Sequence, residues 1–132
     1  MNPRQREAVD LFFSGCNCCQ AVAAVFCAGY GIPRETVLRL GSTFGGGMRK
    51  KEVCGAASGG LMALGMKYGM SAPDDKERKE ESNAKTIAFM EAFVERFGSY
   101  QCRDLLLEGQ YWRDVCGAYV AGAVAITEEL GA

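Results

Sequence analysis

Seven cysteines and no histidine occur in a chain of 132 residues. Two of the cysteines open near-copies of one phrase, Val53-Cys54-Gly55-Ala56-x-x-Gly59-Gly60 and Val115-Cys116-Gly117-Ala118-x-x-Ala121-Gly122. Without imidazole, Ser-His-Asp and Cys-His catalysis are excluded, and so is any metal site that needs a histidine ligand. Sulfur is left to carry the chemistry. Thiolates act as nucleophiles, exchange disulfides and bind soft metals, so these residue types point to thiol, disulfide or metal–thiolate work. The competing reading is that free cysteines pack as small hydrophobes.

The elements that must hold these thiols read as helices, because apolar residues recur at helical rather than alternating spacing. Pro3 opens a first helix with Ala8, Val9, Phe12 and Phe13 as its apolar stripe. A second is expected from about Asn17 to Tyr30, stopped by Gly29, Gly31 and Pro33, and a short one from Pro33 through Leu40. Gly41 and Gly45-Gly46-Gly47 then predict a flexible connector with solvated lysines after it. Cys54 to Tyr68 is a third long helix. Ser71-Ala72-Pro73-Asp74-Asp75 starts another that runs to Phe97, with Asp75/Lys79 and Lys76/Glu80 as i,i+4 pairs and Ile87, Met90, Phe93, Val94 and Phe97 as its buried stripe. A short piece at Arg103–Leu107 and a last helix over about Tyr111–Leu130 complete the chain. The expected fold is all-α: one domain over residues 1–132, an orthogonal bundle of about five to seven helices.

At 100° per residue, Cys18 shares the core-facing side of its helix with Val22, Val25 and Phe26, while Cys16, Cys19 and Cys27 cluster on another face. Cys54 aligns with Ser58, Leu61 and Gly65, and Cys116 with Val120, Ala123 and Thr127. Cys18, Cys54 and Cys102 fall near helix starts and Cys116 in an early turn, where peptide dipoles favour thiolate. Arg49, Lys50 and Lys51 precede Cys54, Arg103 follows Cys102, and Arg113 precedes Cys116, adding cations nearby. The glycines of the Cys54 helix each cost up to about 1 kcal/mol against alanine, so close helix crossing, or a ligand against the backbone, must offset them.

Charge and composition narrow the function further. Fifteen basic and sixteen acidic residues nearly cancel, which argues against nucleic acid as a partner. The polar start from Met1 to Glu7 lacks the apolar region of a signal peptide, and no apolar stretch is long enough to span a bilayer. A cytoplasmic protein with no membrane span is expected, and cytosolic thiols are mostly kept reduced. Cys16 and Cys19 form a CxxC without the βαβ context of a thioredoxin, and the Gly45–Lys51 segment fits neither the P-loop nor the GxGxxG fingerprint, so no nucleotide cofactor is indicated.

The order of motifs is distinctive. Gly15-Cys16-Asn17-Cys18-Cys19-Gln20-Ala21-Val22, Phe44-Gly45-Gly46-Gly47-Met48, Val53-Cys54-Gly55-Ala56-Ala57-Ser58-Gly59 and Phe97-Gly98-Ser99-Tyr100-Gln101-Cys102-Arg103-Asp104-Leu105-Leu106, followed by Cys116, resemble the redox-active protein family named for its C…CGAxxG…C…C pattern. The resemblance runs from about Phe12 to Cys116. It implies a small helical protein whose four signature cysteines, here Cys18, Cys54, Cys102 and Cys116, are redox-active or bind a metal cluster. Cys16, Cys19 and Cys27 lie outside the pattern and are left to resolve, relay or pack.

Three functions follow from this. The first is a redox protein, an oxidoreductase or electron carrier, in which the four thiolates hold an iron–sulfur cluster, or less readily zinc. The second is a thiol–disulfide oxidoreductase using the same cysteines, with pairs such as Cys18–Cys54 or Cys102–Cys116. The third is a non-enzymatic helical binding module whose cysteines only pack. A redox partner is implied by the first two, and the glycine-rich faces permit a homodimer.

Overall fold

Asn2 and Asn17 each open a helix in the same way. The side chain of Asn2 accepts from the Gln5 N–H and that of Asn17 from the Gln20 N–H, while each glutamine side chain accepts in return from its asparagine N–H. Such reciprocal capping is worth about 1 kcal/mol and fixes where the first turn begins. It starts α1 (Pro3–Ser14) and α2 (Cys18–Ala24), so that Cys18 becomes the first helical residue of α2. The structure, a computed structural model, describes residues 1–132. Five more helices follow: α3 (Arg34–Gly41), α4 (Gly55–Tyr68), α5 (Lys76–Phe97), α6 (Cys102–Leu105) and α7 (Trp112–Glu129). The fold is all-α; the sole extended pairing is an isolated antiparallel bridge between Val53 and Gln101.

The second helix is shorter than the 17–30 expected. After Ala24 the Phe26 N–H bonds only three residues back, to the Ala23 carbonyl, and the Cys27 thiol donates to the Ala24 carbonyl at 3.1 Å. The chain then tightens into a 3-10 turn over Cys27–Tyr30 and leaves it through Gly31 at φ 67°. The side chain of Gln20 donates to the Leu38 carbonyl at 2.8 Å, and that of Asn17 to the Gly41 carbonyl at 3.0 Å. One capping pair therefore sets the start of α2 and also docks it on the end of α3.

Helix α4 is the centre of the bundle, with α2, α5 and α7 packed around it. Gly55, Gly59 and Gly60 serve close packing, the first of the two expectations for its glycines, while Gly65 faces open space. A Cβ on Gly59 would lie 2.6 Å from the Cys19 carbonyl oxygen and 2.9 Å from the Val22 Cβ. A Cβ on Gly60 would lie 2.5 Å from the Phe89 ring. That notch also corrects the reading of α5. Phe89 and Phe93 are fully buried, with Phe97 following on the same line, whereas Ile87 is 60% exposed and Val94 also faces solvent. Receiving the Phe89 ring into the Gly60 notch rotates α5 away from the register that periodicity alone suggests. The Asp75/Lys79 and Lys76/Glu80 pairs do not form; Asp75 instead caps α5 by accepting from the Arg78 N–H.

The connector between α3 and α4 is wound rather than loose. Gly46, Gly47, Met48 and Arg49 all have φ near +60°, making a left-handed turn, and Lys51 at φ 54° continues the strain. Left-handed backbone costs about 1–2 kcal/mol for each residue with a side chain. Gly47 is needed twice over, for its φ of 60° and because a Cβ there would meet the Glu52 N–H at 2.5 Å and the Cys102 Cβ at 2.9 Å.

Candidate redox site

Four segments bring one signature cysteine each to a single cavity of about 410 Å³. Cys18 is the first residue of α2, Cys54 the N-cap of α4, Cys102 the first residue of α6, and Cys116 lies just past the first turn of α7. Two local devices set their spacing. Gly55 lets α4 slide against α2, where its missing Cβ would sit 3.1 Å from the Cys18 Cβ. The Val53–Gln101 bridge joins the segments before α4 and α6: the Cys54 N–H bonds the Tyr100 carbonyl at 2.7 Å and the Cys102 N–H bonds the Glu52 carbonyl. The Tyr119 hydroxyl donates to the Leu105 carbonyl at 2.7 Å, tying α6 to α7 one turn beyond Cys116.

Burial outweighs the helix termini and the nearby cations. Removal from water pushes the Cys54 thiol up to about 11, against the opposing pull of the Ala56 and Ala57 N–H groups. Those N–H groups point toward the sulfur without meeting the geometry of a capping hydrogen bond. Burial and the neighbouring Cys116 raise Cys102, and Lys51 offsets this only in part. The interaction between the Cys18 and Cys116 thiols raises Cys18 and lowers Cys116; burial and the charges at Cys54, Cys116 and Cys102 raise Cys18 further. The expectation that helix starts and cations would favour thiolate is therefore overridden at Cys18, Cys54 and Cys102, and Cys116 is lowered by its interaction with Cys18 instead. Arg103 is directed elsewhere, its Nε donating to the Lys51 carbonyl at 3.2 Å, and Arg113 stacks over Phe13 and Trp112.

The three remaining cysteines divide differently from the helical-wheel grouping. Cys19 and Cys27 are buried away from the cavity, Cys19 beside Ser58 and Cys27 bonded to the Ala24 carbonyl. Cys16, in contrast, lines the same cavity as Cys18. It precedes the Asn17 cap and Cys27 follows the helix end, so neither obeys a wheel drawn through both. Sequence reasoning also passed over the aromatic and aliphatic wall of Phe12, Leu105, Leu106, Trp112 and Tyr119. The Asn17/Gln20 pair that aims Cys18 was visible as a capping-box spacing.

A family model described as "Putative redox-active protein (C_GCAxxG_C_C)" matches residues 16–130. The chain belongs to this redox-active family. The match spans all four signature thiols of the cavity, Cys16 beside them, and every helix except α1. No curated protein and no solved structure gives a significant match. No helix is long and apolar enough to cross a membrane.

The donor set discriminates among groups that four thiolates could hold. The sulfurs lie near enough for Cys18 and Cys54 to feel the charge of the others, yet no three are close enough to share one ion. A single tetrahedral zinc, with sulfurs about 2.3 Å from the metal, does not fit this spread without side-chain rotation. An iron–sulfur cluster is the other group that takes four thiolates.

Proposed function

We propose that this member of the family is an electron-transfer or oxidoreductase protein in which Cys18, Cys54, Cys102 and Cys116 hold an iron–sulfur cluster. The observation that carries this reading is the convergence of four thiols, one from each of four segments, on a cavity larger than a pair of cysteines needs. Bound there, a cluster would supply one-electron chemistry. The chain's own residues supply the rest. Phe12, Leu105, Leu106 and Trp112 form an apolar wall that limits water around the sulfurs. The Ala56 and Ala57 N–H groups face the Cys54 sulfur and favour its anionic form. Because burial holds the Cys18, Cys54 and Cys102 thiols protonated, loading must release protons and strengthen as pH rises.

Purification without oxygen, followed by iron and sulfide analysis and visible absorption, tests this. Stoichiometric iron and sulfide are expected, lost when any of Cys18, Cys54, Cys102 or Cys116 is changed to serine and kept in Cys27→Ser. Colourless, iron-free protein that also fails reconstitution would refute it.

The placing of Cys18 and Cys116 in one cavity, the first shifted up and the second down by their interaction, favours a second reading, a dithiol–disulfide couple. A lowered thiol beside a protonated partner is the arrangement of an attacking and a resolving cysteine. Mild oxidation followed by mass mapping would then give Cys18–Cys116, not the Cys18–Cys54 or Cys102–Cys116 pairs that sequence order suggests.

A further inference from the structure

We propose that Arg49 makes the thiol-lined cavity a binding site for a small organic carboxylate with an apolar body. Arg49 is the only charged residue among those lining the cavity, and its side chain lies back over Gly46, with Cδ and Nη1 3.8 Å from where a Gly46 Cβ would be. Its backbone is left-handed, φ 59° and ψ 16°, a conformation that costs an arginine about 1–2 kcal/mol. Strain of this kind persists where the surrounding structure enforces it, and it collects at ligand sites.

The amide and hydroxyl side chains of the lining are already committed. Asn17 accepts from the Gln20 N–H and donates to the Gly41 carbonyl, and the Tyr119 hydroxyl donates to the Leu105 carbonyl. Arg49 makes no ion pair and no hydrogen bond within the chain. Apart from the thiols and the Trp112 indole N–H, its guanidinium is the one side-chain donor left for a ligand, and it is the charged one. No carboxylate lines the cavity, so nothing there neutralises Arg49 through an ion pair. One guanidinium among apolar walls matches a singly charged, planar carboxylate through two parallel N–H···O bonds, and does not supply the several donors a phosphate needs. A volume of about 410 Å³ lies within the range of small-molecule sites, and Phe12, Leu105, Leu106 and Trp112 offer the apolar contact.

This goes beyond the cluster reading and stands without it. Trp112 is the sole tryptophan of the chain and lines the cavity, so its fluorescence reports occupancy directly. The full chain, as purified and again after iron reconstitution, is titrated with benzoate and with its uncharged analogue benzamide. Saturable quenching by benzoate is expected in the wild type, weakened about tenfold or more in Arg49→Gln and partly kept in Arg49→Lys; tenfold corresponds to about 1.4 kcal/mol. Benzamide should bind weakly and indifferently to the substitution, and equimolar inorganic phosphate should not displace benzoate. Equal binding of benzoate and benzamide to the wild type overturns the proposal. So does undiminished benzoate binding by Arg49→Gln, displacement by phosphate, or the absence of saturable quenching. If Arg49→Gln does not fold, the benzoate–benzamide comparison in the wild type still decides. A chain that takes up no iron but discriminates benzoate through Arg49 would sink the cluster and leave this site standing.

Discussion

Replacing Gly59 by alanine, with Gly65→Ala as its companion on the same helix, tests the packing that brings the thiols together. At Gly59 the new methyl group would sit 2.6 Å from the Cys19 carbonyl oxygen, about 0.8 Å inside the 3.4 Å at which ordinary contact begins. The obstacle is backbone, so no side-chain rotation relieves it, and α2 must move off α4. Overpacking of this kind costs about 1–3 kcal/mol, while alanine in place of glycine returns up to about 1 kcal/mol of helix propensity. A net loss of about 1–2 kcal/mol is expected. Gly65 is exposed, and nothing lies within 4 Å of its would-be Cβ, so only the propensity gain of about 0.5–1 kcal/mol remains. Urea denaturation of the two variants should therefore show shifts of opposite sign. Because α2 carries Cys18 at its first turn, Gly59→Ala should also weaken iron retention, and Gly65→Ala should not. Shifts of the same sign, or a Gly59→Ala midpoint equal to that of the wild type, would refute the close-approach reasoning.

Two further outcomes follow from strain and burial. The Cys54 thiol rises from 9.0 to about 11 on folding, so the stability it contributes is complete below pH 9 and is lost as pH climbs through 11. Two units amount to about 2–3 kcal/mol, and metal-free wild type should lose that much more stability than metal-free Cys54→Ala between pH 8.5 and 11.5, read by denaturant titration at each pH. Met48→Gly relieves a left-handed, 41% exposed side chain worth about 1–2 kcal/mol, against about 0.4–1 kcal/mol of added freedom in the unfolded chain. It should leave the thermal midpoint unchanged or raise it, and a drop would mean that Met48 makes contacts the turn depends on.

Much of the architecture was legible because its signals are local. Pro3, Pro33, the acidic start at Asp75 and the stop at Gly98 marked helix boundaries within a few residues. The alignment of Cys116 with Val120, Ala123 and Thr127 was readable too, and those three residues are fully buried. What escaped depended on partners distant in sequence. The Phe89 ring is buried because Gly60 leaves it space, and no pattern within α5 contains that information. Three glycines announce freedom of backbone, and only the crowding by Glu52 and Cys102 turns that freedom into a left-handed turn with Arg49 at its end. The candidate thiols were named from residue type and resemblance, but their protonation could not be, since burial by four segments opposes what each helix terminus does alone.

The four signature thiols of the cavity come from separate segments, with Cys116 98 positions beyond Cys18 and no two of them in one helix. An unfolded or half-synthesised chain thus holds these four thiols apart, and closing such long loops is among the slower steps of folding. Until α7 docks on α4, the cavity lacks the wall that carries Cys116, Trp112 and Tyr119. The cavity with all its walls is therefore a product of the finished bundle and of no single segment. The site is in this sense a checkpoint on completeness, since a chain truncated before α7 retains most of its cysteines and none of the geometry that would make them useful.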